Sequence, residues 1–129
     1  MAEYSFNKQI DIPYEKALEI IPEKLMQEGF GVLTEIDVKA TIKKKLDIDF
    51  PRYKILGACN PPFAHKALTA EMNIGALLPC NVVVYETGGK TMLSVMRPTV
   101  AMGMVDNPEI KDLASEVESK LKVFFDSVN

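Results

Sequence analysis

The chain has 129 residues, of which 47% are hydrophobic and 26% charged. That balance excludes intrinsic disorder and suits one domain over residues 1–129, able to bury roughly two-thirds of its unfolded surface with no disulfide or metal to help. The formal net charge of -3 argues against nucleic-acid partners and anionic membranes, both of which need a clustered positive field.

The start of the chain, Met1-Ala2-Glu3-Tyr4-Ser5, has neither the basic residues nor the apolar core of an export signal. No apolar run approaches the roughly 20 residues of a membrane span. The expected location is the cytoplasm, and no membrane partner is expected.

Tyr4, Phe6, Ile10 and Ile12 alternate with polar residues as in a half-buried first strand, with Lys8 interrupting the apolar face. Pro13 suits a first helical turn, and Ala17, Leu18, Ile21, Leu25 and Met26 form a helical stripe that ends at Gly29. Pro22 lies inside that stripe and predicts a kink or a broken turn. Phe30, Val32, Ile36 and Val38 alternate as a second strand. Val38, Ile42 and Leu46 then recur every four residues, as in a short helix whose Lys43, Lys44 and Lys45 face mostly outward.

Tyr53 to Ala58 reads as a third strand. Asn60 is a good cap and Pro61 a good first residue for a helix carrying Phe63, Ala64, Ala67, Leu68 and Met72 on one face. Asn73 to Pro79 reads as an apolar loop. Asn81 to Glu86 and Thr91 to Met96 form strands joined by the hairpin turn Gly88-Gly89. Pro98 to Pro108 is irregular and rich in methionine. From Glu109 to Val128, Ile110, Leu113, Ala114, Val117, Leu121, Phe124 and Val128 mark a long amphipathic helix. The fold class implied is α+β: one two-layer domain with a largely antiparallel sheet of about five strands backed by helices.

Chemistry concentrates in two Cys-Asn pairs beside prolines, Cys59-Asn60-Pro61 and Pro79-Cys80-Asn81. Cys59 ends one expected strand and Cys80 opens the next, so antiparallel pairing would bring both thiols to one end of the sheet. Cys59 also precedes a helix cap, where the helix dipole and free N–H groups stabilise a thiolate. His65, in the first turns of that helix, could face the same pocket. Cys59, Cys80 and His65 are therefore candidates for a soft-metal site or a redox pair. The plain alternative is packing, because a free cysteine often serves as a small apolar filler.

Glu35 and Asp37 flank Ile36 on one strand face, as an acid–base pair would, although a wet strand face looks the same in sequence. Met92, Met96, Met102 and Met104 could hold Cu(I) through thioethers or simply pack. There is no phosphate-binding glycine loop, no GxSxG and only one histidine. Neither an enzyme reaction nor a cofactor can be named from these residues.

Three segments resemble domain-of-unknown-function family 302: Gly29-Phe30-Gly31-Val32-Leu33-Thr34-Glu35-Ile36-Asp37-Val38, Tyr53-Lys54-Ile55-Leu56-Gly57-Ala58-Cys59-Asn60-Pro61, and Ile74-Gly75-Ala76-Leu77-Leu78-Pro79-Cys80-Asn81-Val82-Val83-Val84-Tyr85. The resemblance covers nearly the whole chain, and only Pro22 departs from it. It implies a curved, largely antiparallel sheet backed by helices, of the TATA-binding-protein-like architecture, and a homodimer. The family has no established activity, so the matches at Glu35, Asp37, Cys59, Asn60, Pro61, Pro79, Cys80 and Asn81 carry no catalytic role.

Three functions fit these observations. One is a dimeric domain that binds a small-molecule ligand near Cys59, Asn60, Cys80 and Asn81. A second is a thiol-redox or soft-metal protein. A third is a structural or partner-binding module with an apolar face near Met102 to Val105.

Overall fold

The computed structural model describes residues 3–129; Met1 and Ala2, on which the reading of the N-terminus partly rests, lie outside it. Five strands, β1 (Ser5–Ile10), β2 (Gly31–Asp37), β3 (Tyr53–Cys59), β4 (Cys80–Thr87) and β5 (Lys90–Met96), form one sheet. Its order is β1-β5-β4-β3-β2 and every neighbouring pair is antiparallel. Five helices accompany it: α1 (Tyr14–Gln27), α2 (Val38–Leu46), α3 (Pro61–Ala70), the short α4 (Pro98–Ala101) and α5 (Pro108–Ser127). A 3-10 turn spans Met72–Leu77 and enters β4 through a cis Leu78–Pro79 peptide.

Alternation sets the two faces of the sheet. One face sends Ile10, Leu56, Val82, Val84, Leu93 and Val95 into the main core, where they meet Ala17, Ile21 and Leu25 of α1 and Leu121 and Phe124 of α5. The opposite face shows Asn7, Gln9, Ile55, Val83, Tyr85 and Ser94 and is only partly buried. The stretch from Pro98 to Pro108, expected to be irregular, opens with α4. The loop expected over Asn73 to Pro79 is largely the 3-10 turn.

α1 runs unbroken through Pro22, where a kink or broken turn is expected from sequence. Proline removes one intrahelical hydrogen bond, but Ile21 and Leu25 on either side are completely buried, and that packing keeps the turn helical. The helix ends in a Schellman motif. Phe30 N–H donates to Leu25 O and Gly29 N–H to Met26 O, both at 3.0 Å, with Gly29 at φ +87°. The accompanying contact between Leu25 and Phe30 lies in the main core.

At one end of the sheet Arg52 forms a bidentate pair with Glu86 (2.9 and 2.7 Å), bonds Glu15 at the start of α1, and lies 4.7 Å above the Tyr14 ring. These hydrogen bonds hold both carboxyl groups below their ordinary range. At the other end the helices are tied to one another. Glu118 of α5 accepts from Arg97 and from Thr99 N–H and Oγ1 (3.0 and 2.6 Å), which fixes α4. Asn107 donates to Ala70 O (3.1 Å) and caps α5 by accepting from Glu109 N–H (3.0 Å). These ties enclose a second apolar cluster of Ala67, Ile74, Met102, Ile110 and Ala114, separate from the main core.

Candidate functional site

A cavity of about 330 Å3 lies between the two apolar clusters. Phe30, Ala58 and Cys80 border it from the main core; Ala67, Met102, Ile110 and Ala114 border it from the second cluster. Leu68, Leu113 and Val117 complete the helical wall, while Leu33 and Thr34, both exposed, lie on the solvent side. No Asp, Glu, Lys, Arg or His is among the lining residues. The volume is near the lower end of the roughly 300–1,000 Å3 range of small-molecule sites, which are mostly apolar with a few placed polar groups.

The sheet positions both thiols here. Ala58 lies opposite Cys80 across the β3–β4 ladder, and Cys59 is the next and last residue of β3. Both cysteines are free, Cys80 buried and Cys59 half-buried, and both line the cavity. Burial, and secondarily the neighbouring Cys59, push the Cys80 thiol up to about 11, so Cys80 carries no charge at neutral pH.

The first turn of α3 does not offer Cys59 the free N–H groups expected from sequence. Pro61 and Pro62 have no N–H at all. Phe63 N–H goes to Asn60 Oδ1 at 3.5 Å, and Ala64 N–H to Asn60 O at 2.9 Å. Asn60 also packs on the end of α1: a Cβ at Gly29 would come within 2.9 Å of its Nδ2. Gly57 creates a second close approach. A side chain there would collide with Thr34 Oγ1 and come within 2.7 Å of Pro79 Cγ. Its glycine lets the Thr34 hydroxyl sit over the sheet where Pro79 leads into β4.

Of the residues singled out from sequence, Cys59, Asn60 and Cys80 thus meet at one cavity. Asn81 does not line it: the residue after Cys80 points to the opposite sheet face, where it is exposed across from Gly57. His65 is exposed in a shallow outer groove with Lys66, Thr69, Glu109 and Asp112. Its helical phase differs from that of Ala64, Ala67 and Leu68, which do face the cavity. Among the described residues no three His, Cys, Asp or Glu side chains are grouped as a metal ion would need.

Glu35 is ion-paired with Lys54, and Asp37 caps α2 by accepting from Ala40 N–H at 2.9 Å. Neither lines the cavity. Met102 does, whereas Met104 is 79% exposed. Sequence reasoning missed Thr34, Phe30 and the α5 residues Ile110, Leu113 and Val117 as lining groups. Their stripe was visible, but a stripe does not say whether it faces side chains or empty space.

The family model for a domain of unknown function, DUF302, matches residues 6–128. The chain belongs to the DUF302 family. Its fold closely follows the crystal structure of an uncharacterized conserved DUF302 protein from Bacillus stearothermophilus. The two are 32% identical, with a TM-score of 0.92 over 99% of this chain and 100% of the other. No curated protein matches the chain. Family and fold are therefore established, while the family's description names no activity. No helix among the described residues is long and apolar enough to cross a membrane.

Proposed function

We propose that this DUF302 domain binds a small, largely apolar molecule in the cavity between β3, β4, α3 and α5. The observation that carries this reading is the 330 Å3 space itself, lined by residues from both apolar clusters and by no charged side chain. Water in an open apolar pocket finds few polar partners, and a ligand that displaces it gains the burial of apolar surface.

The test is binding of a neutral fluorophore, N-phenyl-1-naphthylamine, by the wild type and by Ala114→Phe, which fills the space from α5. Saturable fluorescence enhancement in the wild type that Ala114→Phe reduces at least tenfold supports the reading. Enhancement that is absent, or unchanged by a well-folded Ala114→Phe, refutes it.

A second reading, in which Cys59 and Cys80 act as a redox pair, is favoured by their adjacency at the sheet end. The raised Cys80 thiol weighs against it, since the thiolate is the reactive form. Reversible loss of both thiols on titration with oxidised glutathione, at native fold and with no glutathione retained on the protein by mass, would establish that reading in place of simple packing.

The proposed assembly is a homodimer. The half-buried sheet face bearing Ile55, Val83 and Tyr85 offers a surface for a second copy. Sedimentation should then show a dimer that Val83→Lys dissociates; a wild-type monomer at micromolar concentration would reject it.

A further inference from the structure

We infer that the open face of the sheet carries a second ligand site, a groove floored by Ser5, Asn7 and Ser94 and walled by tyrosines, which takes a small primary ammonium ion with an apolar body. The site is separate from the apolar cavity and does not depend on it.

The groove has a volume of about 580 Å3 and lies on the sheet face turned away from α1 and α5. Tyr4, Tyr53 and Tyr85 all line it. Tyr53 and Tyr85 are stacked across β3 and β4, with ring centroids 5.3 Å apart. The strand order puts Ser94 and Asn7 on the far side of Tyr85 from Tyr53. Tyr4 is 74% exposed and stands at the rim. Its backbone is held in place: Arg97 N–H donates to Tyr4 O at 2.8 Å, and the Arg97 guanidinium donates to Glu3 O at 3.3 Å.

The hydrogen bonds of the floor have a definite direction. Asn7 Nδ2 donates to Ser5 O (3.3 Å), and a carbonyl can only accept, which fixes the orientation of the amide. Asn7 Oδ1 therefore faces the two hydroxyls, and Ser5 Oγ (3.0 Å) and Ser94 Oγ (2.6 Å) both donate to it. Each serine has spent its one hydrogen and keeps only lone pairs for a ligand.

A ligand that answers this lining brings donors to the floor, positive charge to the rings and an apolar body. Tyrosine rings attract a cation through their negative faces. Glu3 adds a carboxylate, and no Lys, Arg or His lines the groove. Arg97, which touches Glu3 only through the backbone carbonyl, is ion-paired with Glu118 of α5 at 3.2 Å. A primary ammonium supplies three N–H donors together with its charge. An anion would meet the carboxylate and the ring faces, and both repel it. Ile55 and Val83, proposed above to meet a second copy, belong to β3 and β4, whereas the floor of the groove belongs to β1 and β5.

The test is calorimetric titration of the wild-type protein at pH 7 and low ionic strength, where exposed charges are least screened. The ligands are 2-phenylethylammonium, 2-phenylethanol and 3-phenylpropanoate, which share a ring and differ in the charge of the head. The ammonium should bind saturably and at least about fivefold more tightly than the alcohol, with the carboxylate weakest. No saturable binding of the ammonium, or equal binding of the alcohol or the carboxylate, overturns the inference.

Variants then locate the binding. Tyr4→Leu keeps an apolar side chain but removes the ring, and Glu3→Gln removes the charge; both positions are exposed, so the fold should hold. Each should weaken the ammonium about twofold to fivefold and leave the alcohol unchanged. Ala114→Phe, which fills the apolar cavity, should leave the ammonium unchanged too. Ammonium binding that neither groove variant moves, or that Ala114→Phe abolishes, lies elsewhere and overturns the site.

Discussion

Along the helical side of the sheet, two regions are built from the same kinds of residue and end up differently packed. Over Val82, Val84 and Val95, α1 and α5 bring Ile21, Leu25, Leu121 and Phe124 into contact, and each of these seven side chains is fully buried. Beyond Ala58 and Cys80, Asn107 ties the start of α5 to α3 and Glu118 ties α5 to α4, and these helices flank a half-open cavity at the end of the sheet. The lesson is that hydrogen-bonded ties set how far a helix stands from the sheet. Apolar patterning only decides which face it turns inward.

Truncation in the filled region should give the largest effect that separates the two. Phe124→Ala removes a ring that is fully buried and should cost about 3–5 kcal/mol, measured by urea denaturation. Met102→Ala borders existing empty space and should cost less than that range, since its loss enlarges a cavity rather than opening a new one. A larger cost for Met102→Ala would mean that the void is filled in solution.

A sharper comparison makes the same change in both places. Ala17 of α1 is completely buried in the main core, and Ala114 of α5 is buried beside the cavity. Ala17→Leu should overpack and destabilise by about 1–3 kcal/mol. Ala114→Leu should be neutral or stabilise by about 0.5–2 kcal/mol, as cavity filling does, while weakening ligand binding. Thermal denaturation of the two variants gives the signs directly; destabilisation of equal size in both would erase the distinction between the regions.

How much of this was legible in the sequence follows from the same comparison. Alternation and 3.6-residue stripes located every strand and the four longer helices, because those patterns report burial on one face. The meeting of Cys59 with Cys80 also followed, since one ends a strand and the other opens the antiparallel neighbour. The cavity did not. Its walls come from Phe30 to Val117, far apart in the chain, and depend on side-chain ties such as Glu118 to Thr99 that leave no periodic signal. His65 illustrates the converse. Proximity in sequence suggested that it joins the thiols, yet the stripe through Ala64, Ala67 and Leu68 already implied that position 65 turns outward. Asp37 was a carboxylate with two readings, and its capping bond to Ala40 shows the local one.

The smallest effect expected comes from Cys80, where the two regions touch. Its thiol is shifted from an ordinary 9.0 to about 11, chiefly by burial. An acid whose folded pKa lies above its unfolded value keeps its full contribution below the unfolded pKa and loses it as pH rises toward the folded one. Between pH 9 and 10 the unfolded thiol ionises while the folded one does not, so Cys80 should lower stability by about 1 kcal/mol over that interval. Tyr14, pushed up to about 12 by burial and then by Asp37, acts in the same direction but mainly above pH 10. Lys8 acts in the opposite direction, because burial lowers its pKa and the unfolded state then holds the extra proton. The informative quantity is therefore the difference between wild type and Cys80→Ala, which cancels the other two groups. Urea titrations at pH 8, 9 and 10 should show the gap between the two proteins narrowing with pH. A constant gap would mean that solvent reaches Cys80 through the cavity and that its thiol is not held in an apolar wall.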